Sequence, residues 1–243
     1  MGGGWDKHNT KMITKQQEES KMATKKTELV KITALDIQQV PLRIVGTAPL
    51  ICHAWSEKAK RQMLEAQTGA RKVKKKEAKN PVADFIRSLY WLEGKPSEEA
   101  VEVDAEKAFL DAVKAGARWG FPVGAIKQAA NSAAYRLGWV ANQMTLRGAY
   151  FLRTSDGEFA EIEGSVPEMR EDMVKIGMGT ADIRYRGEFK DWSMRFTLEY
   201  NASGSLPLED IINCINAGGY TVGLGEWRPE KDGAFGTFRV ETA

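Results

Sequence analysis

The sequence is poor in the side chains that build covalent or metal-held frameworks. Among its 243 residues are two cysteines, Cys52 and Cys214, far apart and without a CxxC pair or a nearby histidine pair. That spacing gives no disulfide framework, argues against a zinc site, and leaves both thiols to act as small buried apolar groups. Aspartates are plentiful but unclustered, with Asp104 and Asp210 placed as helix-start residues, so neither a metal nor a cofactor is expected. No uncharged apolar run reaches the roughly eighteen residues of a membrane span. The longest candidate, 211–225, is broken by Asn and Gly. The N-terminus is polar and charged where a signal peptide would be apolar. No membrane partner is expected, and cytoplasmic residence is the default.

What is present is the composition of an ordinary globular protein, 42% apolar and 28% charged. A net charge of +2 conceals an asymmetry: residues 1–80 carry 17 Lys and Arg against 8 Asp and Glu, and the remainder carries 18 against 25. The basic excess peaks in "ARKVKKKEAKNP", where Arg71, Lys72, Lys74, Lys75 and Lys76 crowd into a loop at 68–80. Such a run is either a solvated segment or a contact for nucleic acid.

Residues 1–32 show no apolar period and read as a flexible basic tail. The rest reads as one domain, 33–243. Val40, Leu42 and Ile44 alternate as in a half-buried strand that stops at Gly46. "SEKAKRQMLEAQ" reads as a helix capped by Ser56, with Ala59, Met63 and Ala66 inward; further helices carry Phe85, Ile86, Leu89 and Tyr90, and Phe109, Ala112 and Val113. "WGFPVGAIKQAANSAAYRLG" leads into a helix whose small inward residues, with Ile126 and Leu137, predict close packing against a sheet. The region near 144–187 reads as an inserted subdomain or long hairpin. "SMRFTLEY" is the clearest strand, and "LEDIINCINAGG" a helix stopped by Gly218. A glycine-rich loop and the strand "FGTFRV" follow. The order strand, helix, insertion, strand, helix, strand predicts an α+β fold with a ferredoxin-like sheet and helical and hairpin insertions.

Three segments resemble, in order, motifs of the repeat-associated mysterious protein (RAMP) superfamily, which includes CRISPR backbone subunits and guide-RNA processing nucleases. "RIVGTAPLICH" is similar to its first strand and turn, hxGxxPL. "FPVGAIKQAANSAAYRLG" is similar to its IPGSSLKGALRSA segment, with Lys127 on the lysine. "GLGEWRPEKDGAFGTFRV" resembles its C-terminal loop, roughly GxGxxxxxxGxGxxxV. The match covers about a third of the chain, in the style of the backbone subunits and of short phage-encoded relatives. It departs in its loop, where "EWRPEKD" carries acids and a proline. The resemblance implies an RNA-recognition-motif-like core that binds single-stranded RNA or DNA through backbone contacts, and a homo-oligomer assembled along the strand.

The candidate site follows from these residues. Gly223 and Gly225 could free backbone amides for phosphate, with Arg228 or Lys231 supplying charge and Trp227 stacking on a base. The same loop could equally be a hairpin whose tryptophan covers a core edge. Lys127, near a helix start, could reach a phosphate; Arg184, Tyr185 and Arg186 interleave charge and ring as single-strand binders and exposed hairpins both do. His53 follows the first strand, where some nucleases of the superfamily keep a catalytic residue, but no partner for proton transfer is evident from sequence. A non-enzymatic binder of single strands is therefore expected. An endoribonuclease using His53 without metal, and a viral mimic docking on a CRISPR-type complex, are the alternatives.

Overall fold

The computed structural model describes residues 32–55, 57–69, 79–155, 157–176 and 179–242. The chain divides into two units, 1–34 and 35–243, and every element below belongs to the second. Arg71, Lys72, Lys74, Lys75 and Lys76 lie outside the described residues.

Alternation sets the central strand. In β1 (Ile37–Gly46) Leu42 and Ile44 are buried, and Gln39, Pro41 and Arg43 take the opposite face. It pairs antiparallel with β10 (Phe238–Thr242) on one side and β9 (Trp192–Asn201) on the other, with Leu42 opposite Phe196 and Ile44 opposite Met194. The inward residues of adjacent strands thus coincide, which pins the register, since a slip by one residue would turn them all to solvent. Beyond β9 the sheet continues through β6 (Phe159–Gly164), β4 (Arg118–Pro122) and β3 (Trp91–Glu93), while β5 (Tyr150–Arg153) pairs with the other half of β9.

Two helices bury the apolar side of this seven-stranded sheet: α4 (Val123–Arg136) between β4 and β5, and α6 (Leu208–Thr221) between β9 and β10. Ile126, Ala129, Ala130 and Ala133 of α4 join Ile211, Cys214 and Ile215 of α6 in one core with Leu42, Ile44, Met194 and Leu198. The alanine stripe owes its small residues to a neighbouring helix as much as to the sheet. A Cβ on Gly218 would lie 2.7 Å from the Ala130 nitrogen, so this glycine removes a side chain to let α6 approach α4. It does not stop the helix, which runs on to Thr221. Leu137, expected inward, is the exposed C-cap of α4.

Of the other helices, α1 (Glu57–Gln67) leaves Met63 exposed, against the expected inward face. α2 (Pro81–Ser88) starts on the Asn80 side chain, which accepts from the Ala83 amide at 3.1 Å, and buries Phe85 and Ile86. α3 (Glu98–Lys114) is kinked at Asp104, whose carboxylate accepts from the Lys107 amide at 3.0 Å and restarts the helix, the role expected of it. α5 (Met144–Arg147) is a single turn.

A second sheet has three strands, β2 (Leu50–Cys52), β8 (Thr180–Phe189) and β7 (Glu168–Ile176), in that order. The stretch read as an inserted subdomain is therefore shared, β5 and β6 going to the large sheet and β7 and β8 to the small one. The fold is α+β.

The loop from Val222 to Thr237 contains one 3-10 turn, Pro229–Lys231, and is tied to the β1–β2 region. The Gly236 amide donates to Pro49 O at 2.7 Å, the Glu226 amide to Ile51 O at 3.0 Å, and the Leu224 amide to Gly236 O at 2.9 Å.

Candidate functional site

A cavity of about 240 Å³ lies where the end of β2, the α4 helix and the glycine loop meet. His53 is placed there by the residue before it, Cys52, which pairs with Gly187 of β8. The bond from the Glu226 amide to Ile51 brings the Glu226 carboxylate alongside, with Oε1 3.2 Å from His53 Nδ1. A carboxylate only accepts, so Nδ1 carries the proton and donates it, leaving Nε2 as the imidazole's other polar atom. This bond is the first cause holding the Glu226 carboxyl below the usual range, and Arg186 and Arg228 add to it. Tyr90 completes the wall. Its ring meets Phe121 edge-on at 5.6 Å and its hydroxyl donates to His53 O at 3.4 Å. Burial, with smaller effects from Cys52 and Glu226, pushes its phenol up to about 12, so it stays a donor at neutral pH.

Behind Glu226 stands an interior ion network. Arg186 is 3% exposed, donates to Asp172 at 3.0 Å, and lies 3.6 Å from Glu226. Arg170 bonds Asp172 and Glu188 and lays its guanidinium over Phe235 of the glycine loop at 4.5 Å. Two arginines of the small sheet thus latch the loop in place.

The expected site residues separate into groups. Gly223, Gly225 and Arg228 line the cavity with His53. Both glycines have left-handed backbones, with φ of 70° and 71°, but the close approach they permit is by the protein itself. A side chain on Gly225 would drive into the Ile51 carbonyl, and one on Gly223 would come 2.8 Å from Pro229 Cδ. Arg228 is committed to Glu230 at 2.7 Å and to Gly225 O at 2.9 Å. Lys231 is exposed on the 3-10 turn. Trp227 is 38% exposed, and its backbone sits at φ 52°, a conformation bulky side chains rarely take. The Phe235 amide donating to Trp227 O at 3.0 Å holds it there.

Lys127 is engaged elsewhere. Its ammonium donates to Arg147 O at 2.7 Å and Tyr150 O at 2.6 Å and rests over the Phe151 ring, with its pKa lowered by burial first and by Arg153 second. Arg184 lies 3.8 Å from Asp182, which also pairs with Lys79 at the end of the basic run. Arg186 corrects the reading of an exposed charged hairpin, because Asp172 on the adjacent strand lets it be buried. Glu226, Tyr90, Gln128 and Ser132 were not singled out from sequence; only the unusual acidity of "EWRPEKD" pointed toward the first of them.

The outer face of the large sheet bears a second concavity, of about 420 Å³. The strand register sets Arg43, Arg118, Arg153, Arg195 and Arg239 on this face, each near a glutamate: Glu241, Glu161, Glu199, Glu163 and Glu241 respectively. Among the described residues no group of His, Cys, Asp and Glu could hold a metal ion, and no helix is long and apolar enough to cross a membrane. No family model matches the chain, and no curated protein matches it.

Proposed function

We propose that the protein binds single-stranded nucleic acid, RNA or DNA, with Trp227 as a stacking platform and the basic run supplying phosphate contacts, and that copies assemble along the strand. The observation that carries this reading is the Trp227 loop. A half-exposed indole is held on a left-handed backbone by a braced loop, and strain of this kind, roughly 1–3 kcal/mol, clusters at binding sites. The exposed part of the ring is available to stack on a base. The connectivity of the large sheet supports the same reading. The path β1, α4, β5, β9, α6, β10, with β10, β1, β9 and β5 side by side and both helices on one face, supports an RNA-recognition-motif-like, ferredoxin-like core and, with it, the resemblance to the RAMP superfamily.

Titration of short fluorescent single strands against wild type and Trp227→Ala tests the proposal. The expected loss is about 1–3 kcal/mol of binding, beyond any fall in the folded fraction read from the melting temperature. Equal affinities for the two proteins would remove the platform.

The His53–Glu226 pair favours a second reading, endoribonuclease. With Nδ1 held by a carboxylate, His53 Nε2 could take the proton of a 2′-hydroxyl as that oxygen attacks the adjacent phosphorus; the bond to the 5′-oxygen breaks, that oxygen leaves with a proton from the Tyr90 hydroxyl, and a 2′,3′-cyclic phosphate remains. Incubating matched RNA and DNA strands with wild type and His53→Ala decides it. RNA-only cleavage that disappears in the variant would replace the binding-only reading.

A further inference from the structure

We infer that the cavity beside Trp227 is a pocket for a single nucleobase, reading its polar edge through Ser132, Gln128 and His53. This inference rests on the proposed single-strand binding and adds base selection to it.

Ser132 carries the argument. It is 8% exposed and lines the cavity, yet its hydroxyl makes no hydrogen bond among the described residues, unlike Ser88, which bonds back to Phe85 O at 2.7 Å. The unpartnered atoms that are fully enclosed belong to Arg43, Trp119, Thr154 and Arg186, so the Ser132 hydroxyl is open to the cavity it lines and is free for a ligand. Here the group can both donate and accept. Gln128, one turn earlier on α4, lines the same cavity and adds an amide that can pair bidentately with a base edge. His53 Nε2 is a third polar atom, its tautomer fixed by Glu226. The apolar and aromatic part of the wall is made by Tyr90, Phe121, Ala125, Ala129 and Leu224.

Size and charge define the ligand. The volume of about 240 Å³ falls below the roughly 300 Å³ at which pockets for drug-sized molecules begin, so it suits one ring system. Glu226 and Glu230 both line it, and the arginines beside them are already paired, Arg228 and Arg136 with Glu230 and Arg186 with Asp172 and Glu226. A phosphate would meet two carboxylates and no uncommitted arginine. A neutral heteroaromatic ring meets aromatic walls and three polar atoms, with its sugar and phosphate left outside near Trp227 and Lys231. The base could belong to a bound strand or to a free nucleoside.

The test uses the full chain, Ser132→Ala, and Gln128→Ala. Because the Ser132 hydroxyl has no protein partner, its removal is expected to leave the melting temperature unchanged or raised. Affinities are measured for homo-oligonucleotides of each of the four bases, and thermal shifts for the four free nucleosides. Wild type is expected to favour one base by about fivefold or more, and each variant to bring the four within about twofold, as loss of one hydrogen bond implies. A preference seen only in oligonucleotides assigns the pocket to the strand. A nucleoside shift lost in Ser132→Ala assigns it to free nucleosides, and it supports the pocket even if no strand binds and the proposed function fails. Strands bound equally well whatever their base, with no nucleoside shift, would overturn the pocket and leave strand binding intact. A base preference that survives both substitutions would overturn it too.

Discussion

Arginine and carboxylate meet in two regions of this protein, and burial makes them different devices. On the outer face of the large sheet the pairs are open: Arg195 with Glu163, Arg153 with Glu199 and Arg118 with Glu161 each have side chains in contact with water. Exposed pairs exchange partners cheaply and are weakened by salt. Between the small sheet and the glycine loop, Arg186 and Asp172 are 3% and 6% exposed. A buried pair adds little net stability over an apolar one, but it tolerates no loss of a partner. The first region could be re-paired by a ligand, whereas the second fixes the geometry of the site.

The sharpest way to break this contrast is Arg186→Leu. It removes the buried partner of Asp172, leaving Arg170 as the remaining counter-charge, and releases Glu226, so a loss of about 1.5–3 kcal/mol, that of a charged hydrogen bond, is expected in urea unfolding. A loss near that of an exposed pair would mean that water reaches Asp172 and the two regions are alike. Gly225→Val comes next. The left-handed backbone alone costs about 1–3 kcal/mol for a branched side chain, and the approach of Ile51 O forbids the space. Stability is expected to fall first, and affinity for single strands only in proportion to the folded fraction. Intact stability with abolished binding would instead return the glycine to a ligand cradle.

Much of the architecture was legible because it is periodic. β1, β9, α4 and α6 announce themselves by alternation or by helical spacing, since each buries one face against a single core. The small sheet was not legible. β2 is three residues long and finds its partner β8 more than a hundred residues later, so no local pattern marks it. Gly218 was misread for a related reason: a glycine near a helix end looks like a stop unless the helix packed against it is known. The site shows the same limit. His53 and Glu226 stand 173 residues apart, and "RYR" says nothing about which arginine a neighbouring aspartate will allow inside. Local chemistry marks the loop around Trp227 as unusual by its glycines and charges, and says nothing of what packs against it.

A pH experiment sharpens the contrast further. The Glu226 carboxyl is held below its ordinary value by His53 first and by Arg186 and Arg228 after it. A group with a depressed native pKa stabilises the fold above its unfolded pKa and loses that contribution as pH falls through the native one. In Glu226→Gln, stability at neutral pH is expected to be lower, and the part of the acid decline below about pH 4.3 that belongs to Glu226 to vanish. Glu161 and Glu199, also depressed, keep their share in both proteins. Parallel acid curves for wild type and variant would show that the His53 bond is not formed in solution.

The smallest effect is expected on the outer face, and its sign is what matters. Each arginine there already has a carboxylate, so a phosphate arriving at Arg195 or Arg153 must displace Glu163 or Glu199 and gains no net charge. Arg195→Gln is therefore expected to leave both melting temperature and the salt dependence of single-strand binding unchanged. Glu163→Gln with Glu199→Gln should do the opposite, freeing two arginines and steepening the slope of affinity against salt by up to about two phosphate contacts. The reverse pattern, a shallower slope in Arg195→Gln and no change in the glutamate variant, would mean that a bound strand crosses this face and strips the carboxylates from their partners. The outer sheet would then be the binding surface, and the buried latch only its support.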